Sequence, residues 1–449
     1  MQDLTTGPVT RHLIKTSSFM LATMVVQTLY FLVDLYWVGH LGTDAVAAVG
    51  LAGNLSFVVL ALTQMLGVGT TTLVSHAAGQ KDHARGLLVF NQSQVLSTLC
   101  GLVLLVVGLA ARHAYTAAVG ADPATAAIAN DYLLWFIPAM ALQFVMVAMG
   151  AALRGLGQFK PGMIVSTASI VLNMALAPFL IFGWGTGHPM GVAGAAVSTL
   201  VAVGVGVVWL TLYFLDKDAF LTFTPRDWKP QLGLWKKLLA IGLPSGMEFA
   251  LMALYMIVVY AIIKPFGAEA QAGFGIGGRV VQAFFMPVVA LGFAVAPVAG
   301  QNVGAKLGPR VRETYRSAVW LAIGAMAAFA VLCYAAAPAL IAVFSSDPRV
   351  IEVGAEYLRI VSWTFVASGI NFVNSSMFQA LGNTMPSLAT SAVRMLVVVI
   401  PTVWLSTRAG FTMRWIWYLS VASVLVQLAL GGSLLRRELT KKLGAAIPQ

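Results

Sequence analysis

The stretch Tyr30-Phe-Leu-Val-Asp-Leu-Tyr-Trp-Val-Gly-His-Leu-Gly42 ends the first long apolar run of the chain and contains an acid, Asp34. A helix needs about 20 apolar residues to cross a hydrocarbon core of roughly 30 Å, and this run is long enough. A charged side chain inside such a segment costs roughly 2.5–3.5 kcal/mol on insertion scales, so it marks a functional site by default. The stretch therefore predicts a membrane span with a functional carboxyl group inside it.

The composition of the whole chain is that of a membrane protein. Of its 449 residues, 59% are hydrophobic and only 10% are charged, whereas soluble domains have about 25% charged residues. The apolar runs are continuous rather than alternating, which indicates helices instead of the strands of a barrel. We predict an all-α integral membrane protein with twelve transmembrane helices, at residues 13–38, 50–77, 88–111, 126–152, 161–183, 191–215, 236–263, 271–300, 313–343, 354–380, 386–407 and 413–435.

The net charge of +11 is explained by the unequal distribution of lysines and arginines between the two sides of the membrane. With the N-terminus placed in the cytoplasm, 19 of the 27 lysines and arginines fall on the inner side of the predicted spans and six on the outer side. This bias satisfies the positive-inside rule. We therefore expect a multi-pass protein of the plasma (inner) membrane with both termini in the cytoplasm and without a nucleic-acid partner.

The two halves of the chain resemble each other at an offset of 225 residues. Each half contains six predicted spans, so both halves enter the membrane the same way up. We expect two six-helix bundles related by a pseudo-two-fold axis along the membrane normal, with a substrate site between them. The predicted lobes are residues 1–218 and 233–449, joined by a cytoplasmic linker at 219–232. Matched pairs include Gly79 and Gly304, Lys81 and Lys306, Arg85 and Arg310, Asp122 and Asp347, and Gly157 and Gly382.

Several motifs together resemble the multidrug and toxic compound extrusion (MATE) family over nearly the full length. They are Val33-Asp34 followed by Val38-Gly39-His40-Leu41-Gly42, Leu153-Arg154-Gly155-Leu156-Gly157 with Pro161, Asn173 followed by Pro178, and Gly242-Leu243-Pro244. The resemblance implies a secondary active antiporter that exports amphipathic, cationic organic compounds by alternating access. Export would be driven by inward movement of H⁺ or, less favoured here, Na⁺, with no cofactor. We expect a monomer whose partners are small amphipathic substrates and membrane lipids.

The chain departs from that family pattern at three places. Ala177 stands where one branch has a second acid, and Phe19 lies opposite Pro244 in the repeat, so the first span lacks a proline that bends it in many members. In the seventh span the acid is Glu248, four residues after Pro244 instead of eight, and the tenth span has no acid. These departures leave Na⁺ coupling less well supported than H⁺ coupling.

Asp34 and Glu248 are the only acids well inside predicted spans. We predict that Asp34 exchanges a proton for substrate, together with the polar residues Asn173 and Thr199. These three residues could also hold Na⁺ weakly, although without a second acid the oxygen cage is thin; no other metal site is predicted. The alternative is that hydrogen bonds from Tyr36, Asn173 or Thr199 lock Asp34, so that it only holds helices together.

Glu248 is expected to attract a cationic substrate or to bind the coupling ion, and the alternative is an ion pair with Arg279 or Arg394. Polar side chains inside spans are candidates for a substrate cavity, although such groups join helices at least as often. The candidates are Tyr36, Gln282, Asn371, Asn374 and Arg394.

Two other functions deserve comparison with export. A lipid-linked oligosaccharide flippase of the same superfamily would need a basic cavity, for which Arg279 and Arg394 are few. A membrane-embedded transferase is the other class. The chain has no Walker A, HExxH or GxSxG motif, so we expect a transporter and not an enzyme.

Overall fold

The computed structural model of the protein describes residues 2–120, 122–185, 187–216, 220–408 and 410–444. Throughout this part of the chain the regular structure is helical. The apolar runs form helices because a helix satisfies every backbone hydrogen bond within its own segment, as the membrane interior demands.

Six long helices form the first half of the chain, and a short 3₁₀ turn, Pro225–Trp228, follows them. The six are α1 (Val9–Gly39), α2 (Thr43–Gly79), α3 (His83–Val119), α4 (Pro123–Gly155), α5 (Phe159–Phe182) and α6 (Val192–Phe214). The second half contains α7 (Leu232–Ile263), α8 (Ala268–Gly304), α9 (Gly308–Ala342), α10 (Pro348–Val361), α11 (Phe365–Ala380), α12 (Met385–Ser406) and α13 (Met413–Leu443).

Among the described residues, eleven helices are long and apolar enough to cross a membrane. The prediction of an all-α membrane protein is thus confirmed. The tenth predicted span, 354–380, is wrong as one continuous helix, because a 3₁₀ turn at Ser362–Thr364 separates α10 from α11. The hydroxyl groups of Ser362 and Thr364 donate to carbonyl groups three residues earlier, at 2.8 and 2.7 Å. Such local bonds compete with regular helix geometry.

Backbone details recur at the 225-residue offset. Lys81 and Lys306 are the non-glycine residues with positive φ among those described, at 56° and 59°. This conformation is uncommon for a residue with a side chain, so its recurrence at matched positions is strong evidence for the repeat. Asp122 and Asp347 cap the starts of α4 and α10 in the same way, by accepting hydrogen bonds from backbone N–H groups.

The described chain forms two compact units whose boundaries differ from those predicted. Unit 1 contains Phe19–Leu243, and unit 2 contains Leu4–Ser18 and the residues from Pro244 onward. These contact units differ from the predicted lobes 1–218 and 233–449 at two segments, the start of α1 and the start of α7, and the lobe boundaries stay a prediction. Both helices change unit at matched positions of the repeat, Phe19 and Pro244.

The start of α1 belongs to unit 2 because its apolar side chains and backbone are held there. Leu4, Val9 and Leu13 are fully buried in the unit 2 core. Gln301 accepts a hydrogen bond from the Leu4 backbone N–H at 3.0 Å, and Arg310 donates to the Gly7 carbonyl oxygen at 2.9 Å. Local hydropathy carries no information about such distant contacts.

The start of α7 belongs to unit 1 because glycines let it approach α2 closely. A Cβ atom on Gly242 would lie 1.8 Å from the Met65 carbonyl oxygen, and one on Gly69 would lie 2.4 Å from the carbonyl oxygen of Leu238. Small residues permit this backbone approach between membrane helices. The contact fixes the first three turns of α7 within unit 1.

The described part of the predicted linker is ordered against α3 by two neighbouring amide side chains. Gln92 donates to the carbonyl oxygens of Asp227 and Lys229 at 2.6 and 2.7 Å. Its own oxygen accepts hydrogen bonds from the Gln231 N–H and the Trp235 indole N–H at 2.9 and 2.8 Å. Asn91 likewise donates to the carbonyl of residue 222 and accepts from the N–H of residue 224. We name these two residues, Asn91 and Gln92, the amide clamp.

Candidate functional site

Asn173 is the centre of a polar network in unit 1. It lies on α5 and is 5% exposed. Its Nδ2 donates to the Tyr30 hydroxyl and to Thr199 Oγ1, both at 3.1 Å. Its Oδ1 accepts a hydrogen bond from the Ser198 hydroxyl at 2.8 Å. The network therefore joins α1, α5 and α6.

Asp34 lies one helical turn beyond Tyr30 on the same face of α1, as an i, i+4 spacing requires. It interacts electrostatically with Tyr30 and with the buried Tyr132 of α4. The Oδ1 atom of Asp34 is buried and has no hydrogen-bond partner within the described residues. A buried polar atom without a partner is rare and costly, so it requires an explanation.

The predicted partners of Asp34 bond elsewhere. Asn173 and Thr199 hydrogen-bond to Tyr30, whose hydroxyl lies 3.4 Å from Thr199 Oγ1. Tyr36 is exposed on unit 1, and its ring packs edge-on against Trp37 and His40. These contacts do not support the alternative that hydrogen bonds from Tyr36, Asn173 or Thr199 lock Asp34, since Asp34 Oδ1 has no partner within the described residues.

Ala177 fills the position of the second acid with an apolar group. It lies one turn after Asn173 on α5 and is 2% exposed, within the core cluster that includes Tyr132 and Ile181. In the described part of the chain no group of three or more His, Cys, Asp or Glu side chains could hold a metal ion.

Glu248 lies in unit 2 on α7. Its Oε1 is buried and has no hydrogen-bond partner in the described chain, which is also the condition of Asp34 Oδ1. Ser387 of α12 lies close enough to interact with the Glu248 carboxylate, while its hydroxyl donates to Ser375 Oγ at 2.8 Å. Each unit thus contains one partly buried acid with an unpartnered oxygen.

The alternative for Glu248, an ion pair with Arg279 or Arg394, is not found among the described residues. Arg279 is exposed on unit 2, and the ion pairs among the described residues do not include Glu248, Arg279 or Arg394. Arg394 instead donates to Gln427 Oε1 at 3.4 Å and interacts electrostatically with Tyr255 and Tyr357. Hydroxyl and amide groups therefore surround this guanidinium.

Asn371 belongs to the same cluster, because its Nδ2 donates to the Val424 carbonyl at 3.2 Å and to Gln427 Oε1 at 3.4 Å. Asn374 is 2% exposed and accepts a hydrogen bond from the Tyr315 hydroxyl at 3.0 Å. Gln282 is exposed and is not part of this cluster. The structure thus joins Asn371 to Arg394 and separates Gln282 from them.

Sequence reasoning missed several participants in these networks, among them Tyr30, Ser198 and Gln427. Tyr30 stands four residues before Asp34, a spacing that could have identified it. Ser198 immediately precedes Thr199, and Gln427 lies in the last span without any acid or base nearby in sequence. No sequence signal distinguishes Gln427 from other amides in spans.

The sequence profile of the MatE family matches residues 20–179 and 244–405 of the chain. The probable multidrug resistance protein YoeA of Bacillus subtilis is 27% identical over 370 residues, which cover 82% of this chain and 80% of YoeA. The multidrug export protein MepA of Staphylococcus aureus is 25% identical, with 94% of this chain and 93% of MepA covered.

Solved structures of similar fold agree with this result. A MATE family multidrug resistance transporter of the MOP superfamily, solved in an outward-facing conformation, superposes with a TM-score of 0.89 at 25% identity and covers 98% of each chain. A MOP superfamily transporter from Pyrococcus furiosus, described as having a binding pocket of reverse polarity, has the same TM-score, identity and coverage.

These relatives and structural neighbours are transporters, which act without enzymatic chemistry and without a cofactor. The profile match covers more than half of the chain and both halves of the repeat. The family expected from the sequence motifs is thereby confirmed, and the chain belongs to the MatE family of membrane transporters.

Proposed function

We propose that the protein exports amphipathic, cationic organic compounds in exchange for H⁺, with Asp34 as the group that carries the proton. The observation that supports this most strongly is the buried Asp34 Oδ1 without a hydrogen-bond partner. The neighbouring network at Asn173 has its own bonds satisfied, so it leaves one oxygen of the acid free to accept a proton.

Proton coupling is better supported than Na⁺ coupling by the ligands around Asp34. Hard cations require several oxygen ligands, but Asn173 Oδ1 already accepts from Ser198, and Thr199 Oγ1 already accepts from Asn173 Nδ2 at 3.1 Å. The buried methyl group of Ala177 supplies no ligand. A single proton requires only the one acceptor atom that is left.

Glu248 is the proposed second acid, and it attracts the positive charge of the substrate. Its unpartnered Oε1 supports this role, because a cation that approaches a buried carboxylate oxygen is stabilised by a charge-assisted contact.

YoeA and MepA are described as multidrug proteins, which favours drug export over oligosaccharide flipping. The candidate cavity residues remain proposals; they are Tyr36, Gln282, Asn371, Asn374 and Arg394. The cytoplasmic termini, the inner membrane and the monomeric state remain predictions.

The driving force suffices for export. Exchange of one H⁺ for one monovalent cation moves no net charge, so the pH difference drives it: each pH unit supplies about 1.4 kcal/mol, which sustains a substrate gradient of roughly 10-fold. The test is uptake of ethidium, an amphipathic cation, by inside-out proteoliposomes under a pH gradient or a Na⁺ gradient imposed separately. We expect uptake with the pH gradient alone. Uptake that requires the Na⁺ gradient would refute the proton assignment, and no uptake under either gradient would refute export of such cations.

A further inference from the structure

A cavity of about 440 Å³ lies at one end of unit 1, where α2, α3 and α7 meet. Its lining combines two cationic side chains, Arg85 and Lys237, with apolar ones. The remaining lining residues are Leu73, Leu88, Val89, Gln231 and Leu234. A ligand that satisfies this surface carries a negative charge next to an apolar part.

Among the described residues, the two cations have no acidic partner. In the described part of the chain, neither Arg85 nor Lys237 lies within ion-pair distance of a carboxylate. The side-chain bond of Arg85 runs from Nη1 to Gln80 Oε1 at 3.3 Å, which leaves most of its five N–H donors available. Both side chains are exposed and so can reach a ligand that enters from solvent or from the membrane surface.

The matching arginine of the repeat is occupied within its own unit. Arg310 of unit 2 donates through Nε to Asn302 Oδ1 at 3.1 Å and through a second nitrogen to the Gly7 carbonyl at 2.9 Å. It thereby fastens the buried N-terminal segment that includes Leu4. Within the described chain, the side-chain hydrogen bond of Arg85 goes to Gln80 and not to residues 229–232, which match this segment in the repeat. The arginine therefore holds the N-terminal segment in unit 2, whereas most of its N–H donors remain available in unit 1.

The amide clamp holds the wall of the cavity in place. Gln92 Oε1 accepts from the Gln231 N–H and from the Trp235 indole, so the first turn of α7 is fixed beside Lys237. A preformed wall lowers the ordering cost of binding. The α7 wall of the cavity is thus held in place by hydrogen bonds within unit 1 before any ligand binds.

We propose that this cavity binds the headgroup of an anionic phospholipid from the cytoplasmic leaflet, with its phosphate at Arg85 and Lys237 and its acyl chains along Leu88 and Leu234. The proposal depends on the proposed orientation, because these residues lie at the end of the helices that carries the excess of basic side chains. Basic pockets between transmembrane helices on the cytoplasmic side suit such headgroups. Arginine and lysine both bind phosphate, arginine with two parallel bonds.

The test is native mass spectrometry of the full chain in detergent micelles supplied with dioleoyl-phosphatidylglycerol, with dioleoyl-phosphatidylcholine or with inorganic phosphate. We expect retained phosphatidylglycerol, with affinity reduced roughly fivefold for each cation removed by Arg85→Gln or Lys237→Gln. The charge-preserving Lys237→Arg variant should bind as the wild type does. Lys236→Gln is the matched control, since Lys236 is also exposed but does not line the cavity.

Three outcomes would overturn the proposal. The first is equal retention of phosphatidylcholine and phosphatidylglycerol. The second is an equal loss in Lys236→Gln. The third is binding of inorganic phosphate as tight as that of phosphatidylglycerol and with the same dependence on Arg85 and Lys237, which would identify a soluble anion as the occupant.

Discussion

Replacing Gly242 with alanine tests how tightly the start of α7 packs against α2. The added Cβ atom would lie 1.8 Å from the Met65 carbonyl oxygen, whereas ordinary van der Waals contacts begin at 3.4 Å. One of the two backbones must therefore move by about 1.6 Å, the difference between those distances. Because the obstructing atoms belong to helix backbone, a change of side-chain rotamer cannot relieve the contact.

Overpacking of this kind costs about 1–3 kcal/mol, and a backbone obstacle places Gly242→Ala at the upper end. For a unit of this size we expect the melting temperature to fall by roughly 5–10 °C. The assay is thermal denaturation in one detergent, followed by the monodisperse peak in size-exclusion chromatography.

The matched control is Gly233→Ala, on the same helix, where an added Cβ meets nothing within 4 Å. It should melt at or slightly above the wild-type temperature, since alanine favours the helix by about 1 kcal/mol over glycine. The reasoning is refuted if Gly242→Ala and Gly233→Ala melt together.

Three further variants test other contacts. Gln92→Leu removes four hydrogen bonds to the linker region, so trypsin should cleave there roughly tenfold faster or more. Gln94→Leu is the control and should not change the cleavage rate, since both amide atoms of Gln94 are buried without partners in the described chain. Equal cleavage rates for the two variants would contradict the role of the amide clamp. Asn173→Leu removes three side-chain hydrogen bonds of roughly 0.6 kcal/mol each, so the free energy of unfolding should fall by about 2 kcal/mol. The measurement is denaturation in detergent, and an unchanged free energy of unfolding would contradict the network. Hydrogen bonds from Thr125 lower the pKa of Asp122. The stabilisation from the Asp122 carboxylate is therefore complete above the usual carboxyl pKa and is lost as pH falls through the lowered pKa. Below about pH 4 the melting temperature should fall more for the wild type than for Asp122→Asn, whose cap does not titrate; parallel curves would contradict this role.

Most of the helical architecture follows from the sequence, because membrane insertion imposes a local rule that each span must be long and apolar. The repeat can also be predicted from the sequence, because the same residue types stand at matched positions. Lys81 and Lys306 are one such pair, and both have a positive φ in the structure. The break at Ser362–Thr364 could not be predicted, since hydropathy averages over the hydroxyl groups that stabilise it.

The unit boundaries depend on contacts between residues far apart in the chain. Leu4 meets Gln301 and Gly242 meets Met65, and no local pattern links either pair. The glycine in Gly242-Leu243-Pro244 was visible in sequence, but the α2 backbone that requires it was not.

The candidate site was predictable in its acids and not in their surroundings. Asp34 and Glu248 are conspicuous because charge is expensive in a membrane. Whether Asn173 bonds to Asp34 or to Tyr30 depends on side-chain geometry that sequence spacing does not determine. For the same reason the alternative of an ion pair between Arg394 and Glu248 could not be decided from sequence; in the structure Arg394 lies near Gln427.

The most direct test of proton-coupled export is ethidium transport by proteoliposomes containing Asp34→Asn under an imposed pH gradient. Asparagine keeps the size of the side chain but cannot exchange a proton, so we predict that pH-driven transport is abolished while the protein stays folded by size-exclusion chromatography. Asp44→Asn, the same substitution at an exposed acid in the first turn of α2, is the control and should transport at the wild-type rate. Transport by Asp34→Asn at the wild-type rate would contradict the central claim.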